Sequence, residues 1–94
     1  MSVRILLVED EAPARATLRD ALSACATAHE VVGEATNRAE AVEMLDRLRP
    51  DVVLLDIRLG DGTGFEVLER TAWKGAQVIF ITAYDQHALR AGKA

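Results

Sequence analysis

Four short apolar runs recur along this chain, and between them the apolar residues change period. Val3 to Val8, Glu30 to Ala35, Val52 to Asp56 and Gln77 to Thr82 are each of strand length, the second being the weakest. After the first run, Ala14, Leu18, Ala21, Leu22 and Cys25 fall at i, i+4, i+7, i+8 and i+11, which places them on one face of a helix. Strand and helix then alternate along the rest of the sequence, with connections too long for hairpins. That pattern dictates an α/β class, a doubly wound parallel sheet with helices on both faces. In such sheets ligands bind beyond the carboxyl ends of the strands, where the strand order reverses. Glu9, Asp10, Glu11, Asp56 and Thr82 all lie at such ends.

The helix starts are marked by local chemistry. Pro13 suits a first helical turn, and Asp10 or Glu11 is placed to accept from the free amides there. Asn37 followed by Glu40 predicts a capped second helix, with Ala41, Met44, Leu45 and Leu48 inward and an end near Pro50. Thr63 and Glu66 form a second capping pair, opening a helix with Phe65 and Leu68 inward and Ala72 as a further candidate. A fourth helix is expected to begin over Asp85 to Ala91. The glycines of "GDGTG", Gly60 to Gly64, lack the lysine and spacing of a phosphate loop, and permitting an awkward turn before a capped helix is their expected use.

Composition limits the function classes. A chain of 94 residues is one small domain. A net charge of −4 with lysines and arginines scattered singly lacks the clustered basic face of a nucleic-acid binder, so no direct nucleic-acid binding is expected of this chain. No apolar run reaches the roughly 18 residues of a membrane span and no secretory signal precedes the first strand, which leads to a cytoplasmic reading with no membrane partner. Cys25, the single cysteine, is read as a reduced, buried thiol. His29 and His87 are read as surface residues, Trp73 as a loop-anchoring aromatic and Tyr84 as a partly packed loop residue.

If the first and third strands are neighbours, Asp56 comes within several ångströms of Glu9 and Asp10. Two carboxylates about 5 Å apart repel by roughly 3 kcal/mol at an effective dielectric near 20. A cation is the natural occupant, and oxygen-only ligands suit Mg²⁺, whereas no histidine or cysteine joins the cluster to favour Zn²⁺. Beside a metal, the Asp56 carboxylate becomes a nucleophile toward phosphorus, and the Thr82 hydroxyl, one strand over, becomes a donor to a phosphoryl oxygen. Taken singly, the acidic pair reads as a helix cap, Asp56 as a turn residue and Thr82 as a strand-end hydroxyl. Their joint placement at three successive strand ends favours the site.

These residues resemble the receiver domain of two-component response regulators. The resemblance covers nearly the whole chain: Glu9 and Asp10 in "LLVEDE", Asp56 and Gly64 in "LLDIRLGDGTG", and Thr82 and Ala83 in "FITAY". "VEDEAPAR" and "ITAYDQHALRA" look most like receivers of the LytR/AlgR type, which usually precede a LytTR DNA-binding domain. The resemblance implies a flavodoxin-like fold, phosphate accepted by Asp56 from a sensor histidine kinase, and Mg²⁺ bound by Glu9, Asp10, Asp56 and the Arg58 backbone carbonyl. It also implies that Thr82 follows the phosphoryl group, with transcription as the output.

The departures from that pattern carry expectations of their own. The usual strand order is 2-1-3-4-5, and residues 1–94 are read as a receiver domain holding 2-1-3-4, incomplete at its C-terminus. The fifth strand, its Lys-Pro pair, its switch aromatic and the last helix are not found. Lys93 lacks the strand and proline of that pair and is read as a tail residue. An open fourth strand is a template for pairing, so self-association through that edge, as a homodimer, is expected, unless the chain is a fragment of a longer regulator. A phosphatase of the haloacid-dehalogenase type is the enzymatic rival, but Arg58 stands where its second aspartate belongs, so no enzyme is expected. The other rival is a receiver-like interaction module that is never phosphorylated.

Overall fold

The apolar runs pair with one another. In the computed structural model, residues 2–81 are described, and β1 (Val3–Val8), β2 (His29–Ala35), β3 (Val52–Asp56) and a last strand (Gln77–Ile81) form one parallel sheet. Two short antiparallel strands intervene, β4 (Arg58–Leu59) and β5 (Gly62–Thr63), so the last strand is β6. The helices are α1 (Ala12–Ser23), α2 (Arg38–Leu48) and α3 (Gly64–Arg70). The sheet order is β2-β1-β3-β6, the expected order with β6 as fourth strand. The chain steps from β1 outward to β2 and then back past β1 to β3. Right-handed crossovers in opposite directions lay their helices on opposite faces, which leaves the switch point between β1 and β3.

Side-chain alternation along the strands divides the core accordingly. Leu6, Val8, Val53 and Leu55 pack on one side with Ala41, Leu45, Leu59 and Val67, and Val78 and Phe80 of β6 join them. Ile5, Leu7 and Leu54 face the other side, where Leu18 and Leu22 of α1 lie against them. The two sides are unequal: α2 and α3 each bury residues, and α1 buries none.

The structure corrects several readings of the helices. Cys25 is exposed, not buried: α1 stops at Ser23, so the i+11 position lies past the helix and off its face. Ala21 is exposed as well. Neither Asp10 nor Glu11 caps α1 with its side chain; the Glu11 amide instead donates to Glu9 Oε2. In α3 Gly64 and Val67 are buried and Leu68 packs against the same core as expected, whereas Phe65 is 53% exposed. Gly64 sets this phase, because its Cα packs so closely on the Asp56 carbonyl oxygen that a Cβ would collide with it. With Gly64 inward, i+3 is Val67, and Phe65 turns outward to lie tilted against Phe80 with ring centroids 5.0 Å apart. Ala72 is exposed beyond the helix end.

The caps of the other helices follow the sequence. Asn37 accepts from the Glu40 amide at 2.8 Å, although the Glu40 carboxylate reaches one residue further back, to Thr36. Thr63 and Glu66 form a complete capping box. Trp73 anchors its loop as expected, donating from Nε1 to the Pro50 carbonyl at 2.9 Å. The "GDGTG" stretch is not a simple turn: β4 and β5 make a two-residue-per-strand hairpin, and no glycine among the described residues takes a positive φ. The glycine needed there is Gly64, for close approach. The fourth helix expected over residues 85–91, with Thr82, Tyr84, His87 and Lys93, lies outside the described residues.

Candidate functional site

The parallel register of β1 and β3 builds the site. Val8 pairs with Leu55, so the next residues, Glu9 and Asp56, stand opposite each other at the carboxyl ends. The Glu9 amide still donates to the Ala35 carbonyl at 3.0 Å, which holds Glu9 within the β1–β2 ladder as the apolar run ends. Asp10 follows directly, and one carboxylate oxygen from each of Glu9, Asp10 and Asp56 lies within 4.8 Å of the others. Glu9 is 1% and Asp56 2% exposed, while Asp10 faces solvent. The group therefore has a buried floor and an open side.

The electrostatics of the floor are unfavourable when it is left to itself. Burial, aided by Asp10 and Asp56 and opposed by the Glu11 amide, pushes the Glu9 carboxyl up to about 8. Its Oε2 accepts from Glu11, but its Oε1 is buried without any hydrogen-bond partner. Such an atom is costly unless something positive meets it. Hard oxygen donors, one of them unpartnered, with an open side for water, fit Mg²⁺ and lack the nitrogen or sulfur ligands of a zinc site. Asp56 Oδ1 accepts from the Arg58 amide at 3.3 Å, which brings the start of β4 against the carboxylate. The Arg58 side chain points to solvent. Thr82 lies outside the described residues; Ile81 before it pairs with Asp56 across β3 and β6.

Two neighbours were not singled out in the sequence. Arg15 donates from Nη1 to the Glu9 carbonyl at 2.9 Å and pairs with Glu34 at 3.5 Å, so α1 is tied to the end of β1. Its place in the first turns of α1, four residues past Glu11, was the available signal. Asp61, in the hairpin loop, accepts from the Arg38 amide at 2.6 Å and the Ala39 amide at 3.3 Å. No local pattern announces a contact across 23 residues.

The model of the response regulator receiver domain family matches residues 5–93. The chain belongs to that family. This receiver is 40% identical to the sensory transduction protein LytT of Bacillus cereus over 91 residues, 95% of this chain and 37% of that protein. It is 36% identical to the transcriptional regulatory protein BtsR of Salmonella typhi over 90 residues, again 95% of this chain and 37% of the relative. The receiver thus spans little more than a third of the length of these curated relatives. Among solved structures it resembles the response regulator domain of Thermotoga maritima CheB, with a TM-score of 0.78 and 31% identity over 98% of this chain and 74% of that one. The receiver domain of NarL from Mycobacterium tuberculosis gives 0.76 and 32%, over 94% and 72%. Receiver domains are signalling modules of two-component phosphorelays: they interact with histidine kinases and bind Mg²⁺ at an acidic site. No helix among the described residues of this one is long and apolar enough to cross a membrane.

Proposed function

We propose that this receiver accepts a phosphoryl group on Asp56 from a sensor histidine kinase and thereby controls a transcriptional output. The observation that carries the reading is the convergence of Glu9, Asp10 and Asp56, with Glu9 Oε1 buried and unpartnered. Glu9, Asp10, Asp56 and the Arg58 carbonyl would hold Mg²⁺, which when bound offsets charge on the phosphoryl oxygens. An Asp56 oxygen attacks phosphorus as the bond to the kinase imidazole breaks, and the electron pair leaves with the ring nitrogen. The Arg58 amide, already on Asp56 Oδ1, holds the carboxylate in orientation. Thr82 donates its hydroxyl to a phosphoryl oxygen, as in the family pattern.

The printed names of LytT and BtsR, a sensory transduction protein and a transcriptional regulatory protein, support an output at transcription. DNA contact is not assigned to this chain, whose net charge is −4. Self-association is assigned to the β6 edge, supported by the exposure of Ile79 and Phe65 beside it.

The test is the intact mass of the protein after incubation with a small-molecule phosphodonor, with and without Mg²⁺, beside Asp56→Asn. One phosphoryl adduct that requires both the metal and Asp56 is expected. Absence of any adduct on folded protein would favour an interaction module that is never phosphorylated.

A further inference from the structure

The hairpin that follows Asp56 is too short to hold its own shape. It pairs two residues per strand, Arg58 with Thr63 and Leu59 with Gly62, and an isolated two-stranded ribbon is marginal even when longer. Its base is fixed by the Gly64 amide donating to the Ile57 carbonyl at 2.8 Å and by the Arg58 amide on Asp56. Its tip extends away from that base, and a Cβ on Gly60 would meet nothing within 4 Å.

The tip is nevertheless tied to a rigid element. Asp61 Oδ1 and Oδ2 accept from the Arg38 and Ala39 amides, two of the orphan donors at the start of α2. Asn37 already caps this helix from within by accepting from Glu40. The Asp61 bonds are additional and come from across the fold, so they fasten the hairpin as much as they cap the helix. These amides also hold the Asp61 carboxyl below its usual range. On the other flank Arg38 pairs with Glu66 at 3.2 Å, and Glu66 accepts from the Thr63 amide.

We infer that Asp61 is a positioning residue for the cation site, clamping the hairpin so that the Arg58 backbone stays in register with Asp56, Glu9 and Asp10. The inference rests on the Mg²⁺ reading given above. Mg²⁺ demands near-ideal octahedral geometry, and on a two-residue strand held otherwise by its base bonds and by buried Leu59, the tie at the tip sets how closely the Arg58 backbone keeps to it. Asp61 is not among the carboxylates that converge with Asp56, and it acts through the hairpin.

The experiment is a Mg²⁺ titration of the full chain followed by the Arg58 amide chemical shift, with unfolding midpoints measured alongside. Asp61→Ala is expected to raise the half-saturating Mg²⁺ concentration roughly tenfold, the lower end of what outer partners of metal ligands contribute. Asp61→Asn, whose amide oxygen still accepts from a backbone N–H, is expected to recover most of the affinity. Asn37→Ala removes the intrinsic cap of the same helix without releasing the hairpin, and is expected to lower stability while leaving Mg²⁺ affinity unchanged. Equal weakening by Asp61→Ala and Asn37→Ala would reduce Asp61 to a helix cap and overturn the inference. Unaltered affinity in Asp61→Ala would overturn it too. A wild-type chain that shows no Mg²⁺ titration would sink the metal reading itself, and is recognised before any variant is compared.

Discussion

At the scale of single residues, Glu9 carries the sharpest consequence. Its carboxyl titrates near 8 in the folded chain against an ordinary value of 4.5, so between those values the folded form holds a proton that the unfolded form has lost. The unfolded state then binds fewer protons, and stability falls as pH rises through that window. The contribution of this one proton is fully present below about 4.5 and is lost as pH rises through about 8. Thermal unfolding followed across this range without divalent cations is expected to show a falling midpoint, and Glu9→Gln to flatten it, because an amide does not titrate while its oxygen still accepts from the Glu11 amide. Added Mg²⁺ should restore the wild-type midpoint at high pH and leave Glu9→Gln little changed. A wild-type midpoint that rises across the window would contradict the assigned protonation.

Elements depend on a few contacts that period alone does not reveal. Gly64→Ala places a methyl against the Asp56 carbonyl, a backbone atom that cannot swing aside, and should destabilise the fold by about 1–3 kcal/mol in denaturant titrations. Gly60→Ala, with open space around it and no positive φ to forfeit, should be neutral or stabilise by about 0.4–1 kcal/mol. This difference also explains what could be read in advance. The order of the strands was implied only by the resemblance to receiver domains, whereas the strands themselves and the capped starts of α2 and α3 were legible because apolar period and capping chemistry are local. So was the meeting of Glu9, Asp10 and Asp56, since a parallel β1–β3 pair forces it. The inward face of α3 was legible only in part, at Leu68: Phe65 is the more apolar residue, but Gly64 sets the phase through a contact with β3. Cys25 was misread because helical spacing was carried past the true end of α1. The hairpin tie at Asp61 depends on a partner 23 residues away, which no window of sequence contains.

For the molecule as a whole, the self-association proposed above is assigned to the β6 side of the sheet. Among the described residues β6 pairs only with β3, and Ile79 is 44% exposed on it. Sedimentation velocity over a concentration series is expected to show a rising coefficient for the wild type and a constant one for Ile79→Lys, since charge blunts an open strand. A wild type that stays monomeric throughout would remove the self-association assigned to this edge. The unequal burial on the two sides of the sheet has a different outcome. Amides of α2 and α3, anchored by Ala41, Leu45 and Val67, should exchange with deuterium only through near-global opening, whereas those of α1, which buries no residue, should exchange through a cheaper, separate event. The central strands thus stand between a slow-breathing half and a quick one. Arg15 bonds the Glu9 carbonyl from α1, so the acidic pocket is in touch with the part of the receiver expected to loosen first.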